Sequence, residues 1–93
     1  MDDRVEIYEI ENLLIELSGK EKDIRFSRLV KICEDVFGNY RVSGGHHIFK
    51  TPWPGDPRIN LQKAGNKAKP YQVKQVINAL KKLKSIAVQD RGK

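Results

Sequence analysis

Tyr40-Arg41-Val42-Ser43-Gly44-Gly45-His46-His47-Ile48-Phe49-Lys50-Thr51 is the stretch that decides the fold. Either side of its glycine pair the residues alternate polar with apolar, the period of two expected of a strand with one covered face. Gly44-Gly45 supplies the left-handed backbone that a two-residue hairpin loop demands. Downstream, Pro52-Trp53-Pro54-Gly55-Asp56-Pro57 reads as a stiff loop, because its three prolines forbid continued pairing. Arg58-Ile59-Asn60-Leu61-Gln62 then alternates again and reads as a third strand. Three strands joined in this way form an antiparallel meander, with Trp53 expected to cap the sheet rather than stack on a base.

The flanking segments carry a helical period. Ile7, Ile10, Leu14 and Leu17 recur at three- and four-residue spacing, with Leu13 alongside, so residues 3–18 read as an amphipathic helix. Asp2 or Asp3 would cap its start and Ser18-Gly19 would stop it. Lys20 to Asp23 is a charged linker. A second helix is expected from Ser27, a plausible N-cap, to Phe37, with Leu29, Ile32, Cys33 and Val36 on its apolar face and Gly38 ending it. Lys63 to Lys69 reads as a polar loop. Pro70 suits the first position of a last helix, which runs to about Lys84 behind a stripe of Val73, Val76, Ile77, Leu80 and Leu83. From Gln89 the chain reads as a frayed tail.

The predicted order is an extra N-terminal helix followed by helix, three strands and helix. Two helices can cover one face of a three-stranded antiparallel sheet and leave the other open. This is an α+β fold in the α-β-β-β-α arrangement of double-stranded-RNA-binding domains (dsRBD-like). Ninety-three residues suffice for one modest core. The division expected is residues 1–24 as acidic helix and linker, 25–86 as the dsRBD-like domain, and 87–93 as a flexible tail.

Charge is distributed unevenly. Residues 1–24 hold eight acidic against three basic side chains, a net −5, while residues 25–93 hold fifteen Lys and Arg against four acidic groups, a net +11. A region that basic points to a phosphate-bearing partner. Hydrophobic content of 39% and mean hydropathy of −0.59 fit a soluble chain, and no apolar run is long enough to span a bilayer, so no membrane partner is expected. Met1-Asp2-Asp3 lacks the pattern of a secretory signal. The single cysteine, Cys33, reads as core packing in a reducing cytoplasm. One cysteine and two adjacent histidines lack the spacing of a zinc site, so neither metal nor other cofactor is expected.

Two places hold candidate chemistry. Gly65-Asn66-Lys67-Ala68-Lys69-Pro70 gathers lysines just ahead of a helix N-terminus, where unpaired amides and the helix dipole favour an anion. Lys67 and Lys69 would flank a phosphate there, and Lys74 lies one turn further on. His46 and His47 are the only histidines in the chain, and histidine gives or takes a proton near neutrality. Beside a polyanion, that is minimal equipment for cutting RNA. Neighbouring strand residues face opposite ways, so one of the two reaches an open sheet face. Burying Phe49 puts His46 and Lys50 outside, and burying Ile48 does the reverse; alternation leaves both open. Arg41 and Arg58 are the further basic candidates on the sheet.

Arg25-Phe26-Ser27 to Leu83 resembles the HicA family of toxins from bacterial and archaeal toxin–antitoxin pairs. The similarity rests on the short helix containing Leu29, on Gly44 to Lys50, on Ile59-Asn60-Leu61-Gln62, and on Gly65 to Val76. It implies a dsRBD-like fold, metal-independent cleavage of mRNA, and a HicB-type antitoxin partner that blocks the active histidine. The family motif Gly-(Ser/Thr)-His places that histidine at His46, with Gly45 standing where the family has a hydroxyl residue. Some members keep only the second histidine, which leaves His47 as the alternative. The mechanism expected is transesterification of RNA, with His46 as general base or acid and the basic candidates Lys50, Arg41, Arg58, Lys67, Lys69 and Lys74 binding the backbone. The competing readings are a non-catalytic RNA-binding module on the same basic face and a protein–protein adaptor.

Overall fold

The computed structural model describes residues 6–53 and 58–91, with side chains as far as residue 88. Helices α1 (Ile7–Leu17), α2 (Phe26–Phe37) and α3 (Pro70–Arg91) combine with strands β1 (Tyr40–Ser43), β2 (His46–Phe49), β3 (Ile59–Ala64) and β4 (Lys67–Ala68). The sheet is antiparallel throughout, in the order β1-β2-β3-β4. The protein is thus a small α+β fold with three helices and four strands. No helix among the described residues is long and apolar enough to cross a membrane.

The fourth strand corrects the expected three-stranded sheet and the expected polar loop at Lys63–Lys69. Gly65 takes φ +64° and, with Asn66, turns the chain so that Ala64 pairs with Lys67 and Lys63 with Ala68. The outer side of β4 is occupied by the segment leading into α2. The Ala68 amide donates to the Ile24 carbonyl (2.8 Å) and the Phe26 amide to the Asn66 carbonyl (3.1 Å). That second bond explains why α2 begins at Phe26 after an Arg25 N-cap rather than at Ser27. An amide at the helix start is satisfied by β-turn backbone, and Arg25 makes no side-chain cap.

The glycine hairpin forms as the sequence predicts. Gly44 and Gly45 have φ of +57° and +82°, a backbone costly for any other residue. That conformation is a physical reason for glycine rather than serine or threonine at position 45. Gly38, at φ +91°, ends α2 with its amide on the Glu34 carbonyl.

One core joins all the layers. Phe49, Ile59, Leu61 and Ala68 cover the inner sheet face. Phe26, Leu29, Ile32 and Cys33 meet them from α2, and Val73, Val76, Ile77 and Leu80 from α3. Cys33 is fully buried, as the sequence suggests, and loss of solvation pushes its thiol up to about 12. Ile10 and Leu17 of α1 belong to the same core, and Leu13 and Leu14 pack against it. Glu11 ion-pairs with Lys84 at 3.0 Å, and Glu21, just past α1, feels the charge of Lys74, so α1 runs antiparallel along α3.

Two boundaries differ from expectation. The start of α1 is Ile7, where the Glu9 carboxylate accepts the Glu6 amide at 3.2 Å; the anticipated caps Asp2 and Asp3 lie outside the described residues. At the other end α3 continues past Lys84 to Arg91, so residues 87–91 of the expected tail are helical. Trp53 caps the inner face as anticipated. Its ring meets Phe37 edge-on at 6.2 Å, and Lys82 Nζ sits 4.7 Å from its centre.

Candidate functional site

Burial of Phe49 decides the question that alternation left open. Phe49 has no exposed surface, and the alternating partners Ile59 and Leu61 are buried with it. His46 and Ile48 therefore face away from the helices, on the open side of the sheet, with Lys50 next in the same alternation. The pairing of β1 adds Ser43 opposite His46 and Arg41 opposite Ile48; β3 adds Gln62 opposite His46 and Asn60 opposite Ile48. Arg41, Ser43, Lys50 and Asn60 are exposed.

Two side-chain pairs organise this face. His46 Nδ1 lies 2.8 Å from Asn60 Oδ1, the diagonal neighbour across β2 and β3. Lys69 Nζ donates to Gln62 Oε1 at 3.0 Å, which brings a cation to the residue paired with His46. Gln62 is itself held: its amide donates to Oε1 of Gln72 (2.9 Å), a nearly buried side chain on the first turn of α3. The same glutamine donates from Nε2 to the Tyr71 hydroxyl (3.2 Å).

His47 takes the opposite side. Its ring lies 5.1 Å from that of Phe26 and 4.9 Å from that of Tyr40, and its Nδ1 is buried with no hydrogen-bond partner among the described residues. It is a packing residue between α2 and the sheet.

The remaining basic candidates divide. Lys67 shares the face of its register partner Ala64, but its Nζ is engaged at 2.8 Å by Asp23 Oδ1. Arg58 precedes β3 and is exposed, with its carbonyl accepting from Gln75 Nε2 at 3.3 Å. Lys74 is not brought to the sheet. It lines a groove with Pro70 and with Gly19 to Asp23, where α3 begins. Two amides of that helix start are engaged within the chain. The Gln72 and Val73 amides bond the Lys69 carbonyl, and the groove contains the Glu21 carboxylate.

Among the described residues, the carboxylates of the N-terminal segment are directed at cations or amides. Lys67 holds Asp23 below the usual carboxylate range by hydrogen bonding to it. Two bonds of 2.7 Å from Arg28 do the same for Glu16. Glu21 is lowered by backbone amides, its own and that of Gly19 at 3.0 Å. Sequence reasoning missed Asn60, Gln62, Gln72 and the Asp23–Lys67 pair. Asn60 and Gln62 had a usable signal, since both alternate with the apolar Ile59 and Leu61. Among the described residues no three His, Cys, Asp or Glu side chains gather as metal ligands would.

Comparison with protein-family models, with curated proteins and with solved structures gives no match to the chain.

Proposed function

We propose that the protein is an mRNA-cutting endoribonuclease of the HicA toxin type, on a dsRBD-like fold, that acts in the cytoplasm and is held in check by a HicB-type antitoxin. One observation carries the reading: the histidine that the family resemblance singles out, His46, lies on the open sheet face among basic side chains, while His47 is packed inside. Arg41, Lys50 and Lys69 offer that face positive charge for a phosphodiester backbone.

The chemistry needs no cofactor. The His46 imidazole takes the proton from a ribose 2′-hydroxyl as its oxygen attacks the adjacent phosphorus. The O2′–P bond forms and the P–O5′ bond breaks. O5′ leaves with a proton from water, giving a 2′,3′-cyclic phosphate and a 5′-hydroxyl. Lysine and arginine charge stabilises the phosphorane in between. A single histidine paired to an amide, with no carboxylate partner among the described residues, makes a slow catalyst, which suffices for a toxin acting on many messages.

Purified protein incubated with single-stranded RNA in EDTA is the direct test. The expected result is cut RNA with cyclic or 3′-phosphate ends, and none with His46→Ala. RNA that is bound but left intact by the parent protein would overturn catalysis in favour of a plain RNA-binding module. Activity lost in EDTA and restored by magnesium or manganese would overturn this mechanism.

A further inference from the structure

We infer that Asn60 is a positioning residue for His46: it fixes the imidazole in the Nδ1-protonated form and turns bare Nε2 toward the open face. This rests on the proposed ribonuclease reading for its use, but the pairing itself stands on geometry.

An amide oxygen only accepts hydrogen bonds, so the 2.8 Å contact between Asn60 Oδ1 and His46 Nδ1 requires a proton on Nδ1. In the neutral ring the other nitrogen is then an acceptor, free to take a proton. Once Nε2 is protonated, Nδ1 still carries its hydrogen and the Asn60 bond is unchanged. One geometry therefore serves the ring before and after proton transfer, and nothing has to rearrange between the two.

The register explains why Asn60 has this role rather than the residue directly across. Gln62 stands opposite His46, but its Oε1 accepts from Lys69 Nζ, and its backbone N–H is tied to Gln72 Oε1. Asn60 is two residues back on the same face of β3, within diagonal reach. Its chemical type also fits the ligand. An aspartate here would orient the ring equally well but would place a negative charge where an RNA phosphate has to approach. The neutral amide orients without repelling a polyanion.

The test is the tautomer, read from imidazole nitrogen signals in long-range proton–nitrogen NMR of the full-length ¹⁵N-labelled protein at neutral pH. His47, the only other histidine, reports on the fold in the same spectrum. The parent is expected to show His46 with Nδ1 protonated and Nε2 bare. Asn60→Ala should shift His46 toward the Nε2-protonated form that free histidine favours, with His47 unmoved. Asn60→Asp should restore the Nδ1-protonated pattern while weakening RNA binding. A parent His46 carrying its proton on Nε2 overturns the inference, as does an Asn60→Ala protein that keeps the parent pattern. If Asn60→Ala fails to fold, the parent and Asn60→Asp spectra decide alone.

Where the parent cuts RNA, Asn60→Ala should lower kcat roughly 10- to 100-fold with little change in KM, taking as a guide the loss seen when the outer hydrogen-bond partner of a metal-bound histidine is removed. Unchanged kcat in a protein whose tautomer has shifted overturns the positioning role. The expected tautomers in a parent protein that cuts no RNA uphold the pairing and overturn the ribonuclease reading instead.

Discussion

Asp23 Oδ1 lies 2.8 Å from Lys67 Nζ, so the charged linker after α1 is fastened to a lysine on β4, at the margin of the open sheet face. Both partners are more than half exposed, so water screens the pair, keeps it weak and makes it sensitive to salt. Glu16 on Arg28 and Glu11 on Lys84 repeat the theme, with acidic side chains from the N-terminal segment covering basic ones from the rest of the chain.

Asp23→Asn should therefore free Lys67 and tighten RNA binding up to roughly fivefold at low salt, the most that an exposed pair of this strength can withhold. The gain should vanish at high ionic strength. Lys67→Ala combined with Lys69→Ala should weaken binding to every sequence and flatten its salt dependence. Two lost phosphate contacts reduce the slope of log affinity against log salt by about 1.5. An unchanged slope in filter-binding or fluorescence titrations would move the footprint to Arg41, Lys50 and Arg58.

The two adjacent histidines should separate cleanly on substitution. His46→Ala removes a half-buried side chain from the open face and should cost less than about 1 kcal/mol of stability while abolishing cleavage. His47→Ala removes ring contacts to Phe26 and Tyr40 and should cost roughly 1–2 kcal/mol, leaving cleavage at temperatures where the fold persists. Urea melts beside an RNA-cutting assay read both effects. Cleavage retained in His46→Ala and lost in a folded His47→Ala would reverse the assignment.

How much of this was legible in the sequence follows from the reach of each signal. The apolar stripes of α1, α2 and α3 are local and periodic, and Ile10, Leu17, Leu29, Ile32, Val73, Val76 and Leu80 are indeed core. Strand β4 was hidden because Lys67-Ala68 has no large apolar residue, although Gly65-Asn66 is a known hairpin dipeptide. The end of α3 carries a signal past the expected stop near Lys84: Ile86 and Ala87 continue the three- and four-residue spacing past Leu83, and the Lys84–Glu11 pair ties that turn to α1. Which histidine faces outward was not legible because Ile48 and Phe49 are both apolar. The pairing of His46 with Asn60 depends on a register set across the proline-rich loop, which alternation cannot supply.

Stability should fall on the acid side. Glu16, Glu21 and Asp23 are all held below their ordinary values of 4.5, 4.5 and 3.8 in the folded protein. A carboxylate that is harder to protonate when folded favours the folded state above its unfolded pKa, and that advantage is lost as pH falls through the lowered folded value. The melting temperature should therefore be insensitive to these groups at neutral pH and decline from about pH 4.5 downward. Glu16→Gln should shallow that decline, since it removes the twofold bond from Arg28. Identical acid limbs for parent and variant in pH-dependent thermal melts would show that this pair does not set the slope.

Helix α1 should prove inseparable from the fold. Leu17 and Ile10 are almost completely buried in the core shared with α3, and an eleven-residue helix is too short to hold its shape in water alone. Leu17→Ala should cost about 2–5 kcal/mol, the range for truncating a fully buried leucine. Deleting residues 1–19 should expose the α3 stripe and cause aggregation or a large loss of melting temperature. A milder substitution isolates the electrostatic part: Glu11→Gln with Glu16→Gln leaves the apolar face intact while removing its pairs with Lys84 and Arg28. That double variant should fold as the parent does and bind RNA more tightly at low salt. A truncated protein that is soluble, equally stable and equally active would show that α1 contributes neither packing nor charge to the domain.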